Sequence, residues 1–426
     1  MPAIACFAAR LDYAAMTDFT FLHAADLHLD SPLRGLDSAA PAGRIRTATR
    51  QALVKLVDFA IAEQVAFVLL AGDLYDSKNY DWHTGQFLIQ QLGRLLRAGI
   101  EVVSIAGNHD PLQAVARKLA VPGMLSCDKP ETRRLTNAPV AVHGQSYAVA
   151  KTLTDLSAAY PDRVEDLFNV GLLHTACGQK GHDNYAPCSI ADLQRPGYDY
   201  WALGHVHVRS ELSQQPWIVF PGNLQGRHVN EEGAKGATLV KVERGRVLAA
   251  EHVPLDVLRW QKLEVLATGA ASEEDVWNRV RLALDQAALL ADDRFLVVRV
   301  VLSGGCEAHA DLARDPEATR EAVRAIAAEV AGEEHVFVED VRILTASDMD
   351  FSAMRTQPGA IGALIEALEM PLAIEPGATE FAKEQLGRGD GLLEEGHPAF
   401  DMANGQIPDG LAMRARALIL AELARR

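Results

Sequence analysis

Apolar positions along the chain fall into two rhythms. The runs TFLHAAD, AFVLLAGD, EVVSIAGNHD, LFNVGLLH and YDYWALGHVHV each carry an unbroken apolar stretch that stops at a polar or charged terminus. Between them, residues 47–63 and 84–98 repeat their apolar side chains at helical spacing. Strands apolar on both faces belong to sheets covered on both sides. The alternation from Phe19 to about Val253 therefore predicts an α/β sandwich with largely buried strands and helices packed against it.

The rhythm changes after Pro254. Residues 260–267, 295–303 and 336–344 read as strands, and 273–290 and 317–331 as helices, a β-α-β-α-β run the size of a small separate domain. Beyond Ser347 the chain turns Gly-, Pro- and acid-rich. It has a predicted helix at 361–369 and ends in LAMRARALILAELARR, an amphipathic helix with arginines along one side. The opening MPAIACFAARLDYAAM lacks the basic and apolar regions of a signal peptide. The expected organisation is an N-terminal extension over 1–16, a first domain over 17–254, a small α+β domain over 255–346, and a C-terminal segment with a helical tail over 347–426.

In sheets of this kind, function gathers at the carboxyl ends of strands. Here those ends read DLH (Asp26, His28), GDLYD (Asp73, Asp76), GNHD (Asn108, His109, Asp110), LLH (His174) and GHVH (His205, His207). Side chains at i and i+2 of a strand point the same way, so Asp26 with His28, and His205 with His207, are expected to share a face. Together these residues supply nitrogen and oxygen ligands for two divalent metals. Asp73, preceded by a glycine that permits a sharp turn, is the natural bridge, and Asn108 offers a neutral oxygen. Two ions about 3.5–4 Å apart can polarise a phosphate and lower the pKa of a shared water. His109, beside a ligand, is expected to face the substrate as a catalytic group, with Asp76 holding its imidazole. Taken singly, each motif reads as a cap, a turn or a buried polar residue, and Asp110 before Pro111 reads as a turn residue. Those ordinary readings would have to hold together at every one of these strand ends.

Charge and cysteine usage narrow the setting. No apolar run reaches the ~20 residues of a membrane span, and five scattered cysteines without a CxxC pair argue against a disulfide framework or a thiolate zinc site. A cytoplasmic location is expected. The net charge of −16 is unlike that of a protein that grips DNA by phosphate contacts alone. Binding of nucleic acid would need a local basic patch, metal ions or a partner subunit.

The ordered set D-x-H, G-D-x-x-D, G-N-H-D, H, G-H-x-H resembles the signature of the calcineurin-like metallophosphoesterases. That resemblance implies a metallophosphoesterase β-sandwich flanked by helices. It also implies a first metal on Asp26, His28, Asp73 and His207, a second on Asp73, Asn108, His174 and His205, and His109 as the catalytic histidine. LHAADLHLDSPLRGL and PGNLQGRH are further similar to the YhaO-type, SbcD-like branch of bacterial DNA-repair exonucleases, in which a capping domain follows the nuclease domain. The resemblance covers about residues 19–230 closely, the capping segment loosely and the part beyond Ser347 weakly.

The likeness implies a dinuclear phosphodiesterase, a DNA exonuclease of repair, with two divalent ions. Manganese is the preferred ion, and iron, zinc and magnesium are compatible. DNA, a coiled-coil ATPase subunit and a second copy of the chain are the implied partners, with the helix at 411–426 as one candidate dock and no membrane. Arg227, His228 and Arg34 are the candidate substrate-binding residues. Arg44, Arg46, Arg50, Arg117, Lys118 and Arg209 also lie near motif loops, and Gly222 and Gly226 could admit a phosphate or simply form turns. One alternative is the same chemistry on a small nucleotide or metabolite ester. Another is a non-catalytic scaffold, which loss of His109 or a ligand would mark; none is missing.

Overall fold

The computed structural model describes residues 18–33, 42–76, 81–112, 120–179 and 183–348, the side chains of 42 and 44–46 excepted. The expected N-terminal extension, Arg34, Arg117, Lys118, the side chains of Arg44 and Arg46, and the helices expected at 361–369 and 411–426 lie outside them. The described chain forms two compact units, one of residues 18–261 with 293–297 and the other of 262–292 with 298–348.

In the first unit the elements run β1 (Phe19–Ala24), α1 (Ala42–Ala62), β2 (Phe67–Ala71), α2 (Trp82–Arg97), β3 (Glu101–Ile105), β4 (Glu131–Arg134) and β5 (Val140–Gly144). They continue as β6 (Phe168–His174), α3 (Ile190–Gln194), β7 (Tyr200–Gly204), β8 (Ser210–Gln214), β9 (Trp217–Phe220), β10 (Gly236–Glu243) and β11 (Arg246–Pro254). A five-stranded sheet has the order β11-β10-β1-β2-β3 and a six-stranded sheet the order β4-β5-β6-β7-β9-β8. Within them β1, β2 and β3 are parallel, as are β5, β6, β7 and β9.

Period-two alternation distributes each strand between two cores. In β2, Phe67, Leu69 and Ala71 join Phe21, Val103, Phe168 and Tyr200 in the layer between the sheets. Val68 and Leu70 pack instead with Leu53, Leu56, Leu88 and Leu92 of α1 and α2. In β7, Trp201 and Leu203 point to an outer cluster with Tyr160, Tyr198 and Leu193. Phe21 and Phe67 stack with centroids 4.7 Å apart. Each large side chain buried this way is worth about 1.5–3 kcal/mol, which makes the sandwich a rigid base for the loops at the ends of its parallel strands. The α/β sandwich is the fold observed.

A separate sheet, in the order β12-β13-β14, is formed by β12 (Leu258–Leu266), β13 (Phe295–Gly305) and β14 (Val336–Ala346), of which the first residues of β12 and β13 fall in the first unit and the rest in the second. The helices α4 (Glu273–Leu290), α5 (His309–Arg314) and α6 (Pro316–Ala331) lie between its strands in sequence. A Ser272–Asp275 capping box starts α4, and Asp315 caps α6 with Pro316 in its first turn.

Candidate metal centre

The site is built from loops that leave the parallel strands. β1 stops at Ala24, and Asp26 and His28 follow it in left-handed backbone (φ 52° and 41°). The expectation of a shared strand face is thus corrected, because no strand continues there to alternate. The amides of Asp26, His28 and Leu29 donate instead to the carbonyls of Gly72, Asp73 and Leu74 (3.1, 3.0 and 3.1 Å), so the two ligand-bearing loops run side by side.

The histidine pair of GHVH is corrected in the same way. β7 ends at Gly204 and His205 has φ 103°. The two rings diverge: His207 Nε2 lies 3.2 Å from His28 Nε2, whereas the His205 ring sits 5.3 Å from that of His174.

Asp73 lies where the two halves meet. Its Oδ1 accepts the His109 amide at 2.9 Å, and its Oδ2 is 3.7 Å from His28 Nε2 and 3.5 Å from His174 Nε2. The preceding Gly72 (φ +92°) is required: a Cβ there would sit 2.5 Å from His174 Nδ1. Asp26 accepts the His205 amide on both oxygens (3.1 and 3.0 Å) and is 3.9 Å from His207 Nε2. Asn108 Oδ1 lies 3.0 Å from His174 Nε2. His109 Nδ1 is hydrogen-bonded to Asp76, and its side chain is 41% exposed where His28 and His174 are fully buried.

Burial sets the charge states. It pushes the imidazoles of His28 and His174 below the usual histidine range and His205 down to about 4, which favours the neutral, ligating form. Burial, then repulsion from Asp73, holds the Asp26 carboxyl well above its usual range. Burial also opposes a charge on His109, but the Asp76 hydrogen bond and the charges of Asp73 and Asp76 outweigh it and raise its pKa.

Residues 19–209 match the family model of the calcineurin-like phosphoesterases, and 260–346 match that of the middle domain of metallophosphoesterase YhaO. The YhaO metallophosphoesterase of Bacillus subtilis is 34% identical over 369 residues, 83% of this chain and 88% of that protein. The chain belongs to the calcineurin-like phosphoesterase family. The DNA double-strand break repair protein Mre11 of Methanopyrus kandleri is 28% identical over 61% of this chain and 62% of its own length. A subunit of the nuclease SbcCD of Rhodobacter capsulatus is 34% identical over 24% of this chain and 25% of that protein.

Calcineurin-like phosphoesterases use a dinuclear metal centre, and the donors here fit one. His174 Nδ1 faces the Ala71 carbonyl at 2.9 Å, a group that only accepts, so Nδ1 carries the proton and Nε2 presents its lone pair toward Asp73. His207 Nδ1 faces the Glu231 carboxylate at 2.7 Å, and its Nε2 is likewise turned inward, toward Asp26 and His28. His205 Nε2 faces the Asp183 carbonyl at 3.0 Å, which leaves Nδ1 as its donor atom. His28 Nδ1 is buried without a hydrogen-bond partner among the described residues. Acceptors facing acceptors in a buried site are costly unless a cation joins them. Two of the ligand groupings, Asp26–His28–His207 and Asp26–Asp73–His174, share Asp26; a third joins His28, Asp76 and His109.

The substrate candidates fare unevenly. Arg227 Nη1 is 3.9 Å from Asp76 and its Nη2 3.4 Å from Glu231, at the edge of this family's metal centre. His228 Nε2 lies 3.4 Å from Glu231. Arg209 is turned to Glu211 and the Ala250 carbonyl, and Arg50 to Asp30. The space at Gly222 and Gly226 is taken by the chain itself: a Cβ would lie 3.0 Å from Arg209 N and 2.8 Å from the Glu231 carbonyl.

Two carboxylates escaped the sequence reading. Asp110 is buried and accepts the amides of Gly107 (2.6 Å) and Leu74 (2.8 Å); its place inside GNHD was the available signal. Glu231, buried behind His207, has no signal that separates it from the adjacent Glu232.

Proposed function

We propose that this chain is a dinuclear-metal-dependent phosphodiesterase acting on DNA, an exonuclease of repair that prefers manganese. The observation that carries the chemistry is the inward convergence of the His174 and His207 lone pairs on Asp73 and Asp26. Two bound divalent ions would supply Lewis-acid polarisation of a phosphate and a water acidified toward neutral pH.

The ligand set is Asp26, His28, Asp73 and His207 for one ion and Asp73, Asn108, His174 and His205 for the other. His109, partly exposed and held by Asp76, protonates the leaving alkoxide; Arg227, with His228 and Arg34, neutralises the scissile phosphate. Residues 17–254 carry this chemistry, and 255–346 are the separate domain that follows, matched over 260–346 by the YhaO middle-domain model.

DNA as substrate is supported by similarity to a double-strand break repair protein and a nuclease subunit. The net charge of −16 makes a partner that shares the grip on DNA part of the reading, a coiled-coil ATPase, with a homodimer as the functional copy number and the cytoplasm as the location.

The test is digestion of end-labelled linear DNA by the purified chain with manganese, beside His109→Asn and a generic phosphodiester reporter. Nucleotide release that the mutant loses is the expected result. Hydrolysis of the reporter with intact DNA would move the substrate to a small ester, or make the ATPase partner obligatory.

A further inference from the structure

Behind His207 sits a buried carboxylate, Glu231, that lies outside the strand-end motifs supplying the candidate ligands. Glu231 is 6% exposed, whereas its neighbour Glu232 is on the surface. Both of its oxygens are committed. Oε1 accepts from His207 Nδ1 at 2.7 Å; Oε2 accepts from Asn223 Nδ2 at 2.9 Å and from the Arg227 amide at 2.7 Å. Asn223 is itself fully buried and bridges to Ala25, next to Asp26. The backbone of His207 is held as well, since Lys235 Nζ donates to its carbonyl at 3.0 Å. The ring of His207 is therefore fixed from behind, through a hub that reaches the loop of Asp26 on one side and Arg227 on the other.

We infer that Glu231 is a positioning residue that sets the metal affinity of the half of the centre containing His207, by fixing that imidazole with Nε2 inward, and that it aligns Arg227 in the same act. The inference rests on the dinuclear reading above. A carboxylate is needed because four donors must be accepted on two oxygens, Arg227 Nη2 at 3.4 Å from Oε1 being the fourth. A glutamine has one oxygen. With that oxygen toward His207, its NH2 would confront the Asn223 amide and the Arg227 N–H; flipped, it would confront His207. Outer partners that orient a ligating histidine commonly change metal affinity by about 10–100-fold when removed.

The experiment is calorimetric titration of the metal-stripped full chain with Mn2+, for wild type, Glu231→Gln and Asn223→Ala, with thermal melts of each. Wild type should bind two ions. Glu231→Gln should weaken one binding step by about 10–100-fold and leave the other unchanged. Asn223→Ala should weaken the same step by less. A folded Glu231→Gln with both affinities intact overturns the inference, even if its melting temperature has fallen, because that is what a purely structural carboxylate would give. Should Glu231→Gln fail to fold, Asn223→Ala decides: a weakened single step supports the role, and wild-type affinity at both steps overturns it. Wild type binding fewer than two ions removes the dinuclear reading itself, and the inference with it.

Discussion

Asp110 ties down Leu74: its Oδ2 accepts the Leu74 amide at 2.8 Å while its Oδ1 accepts that of Gly107 at 2.6 Å. One buried carboxylate thereby locks the loop carrying Asp73 to the loop carrying Asn108, and Asp73 Oδ1 returns the link by accepting the His109 amide at 2.9 Å. In Asp110→Asn the side-chain NH2 must face one of those N–H donors. An unsatisfied buried donor costs about 1–3 kcal/mol. The melting temperature should fall, and Mn2+ affinity should weaken because the loops lose their register. Unchanged melts and calorimetric affinity would refute this link.

His109 and Asp76 should separate chemistry from metal binding. His109→Asn is expected to lower kcat by about 10²–10⁴-fold, the usual worth of a positioned acid, with two ions still bound. Asp76→Asn should lower kcat less, since the imidazole remains but loses the carboxylate that holds it. Metal analysis of the purified mutants is the check. A missing ion in His109→Asn would make this histidine a ligand, as the His28–Asp76–His109 grouping would allow.

Metal removal should destabilise the fold, because it leaves the Asp26 carboxyl buried without a cation and, second to that burial, facing repulsion from Asp73. Each ion held at ~100 times its Kd would add about 2.7 kcal/mol. Chelation should lower the melting temperature of wild type, and Mn2+ should restore it. Asp73→Asn removes one buried charge, so its metal-free form should melt above metal-free wild type and gain little from Mn2+. A metal-free Asp73→Asn that melts lower would contradict the repulsion argument.

His23 gives the sandwich an acid-sensitive point. The fully buried ring takes a hydrogen bond from Tyr200 Oη (3.0 Å) and donates to the Leu203 carbonyl (3.1 Å). Burial, partly countered by the Leu203 bond, pushes its pKa down to about 3. Its folded pKa lies below the unfolded value of about 6.5, so the unfolded chain binds the extra proton. The stability from neutral His23 is complete above about pH 6.5 and declines as pH falls toward 3, by on the order of several kcal/mol. Denaturant melts with chelator at pH 7 and pH 4 should show a smaller pH-dependent loss for His23→Gln than for wild type. Equal losses would assign the acid sensitivity elsewhere.

The elements most legible in the chain were those with the longest regular pattern. The α4 helix occupies residues 273–290 as its periodicity predicts, and Phe67–Ala71 is a strand buried on both faces as its unbroken apolar run requires. Short edge strands such as β4, with alternately half-buried and exposed ETRR, carry no comparable signal. Their pairing to a neighbour is a property of the sheet.

The α/β rhythm, the chemistry of the donors and their placement after apolar runs were all written in the chain, because burial periodicity and residue type are local. How those donors point was settled by tertiary contacts alone. Left-handed backbone at Asp26, His28 and Asp73 breaks the strand alternation that local reasoning assumed, and it is sustained by hydrogen bonds such as those from the Asp26 and His28 amides to the Gly72 and Asp73 carbonyls, between loops distant in the chain. The same holds for tautomer. Ala71, Asp183 and Glu231 each choose which nitrogen of a histidine carries the proton, and a partner distant in sequence leaves no mark on the residues it orients.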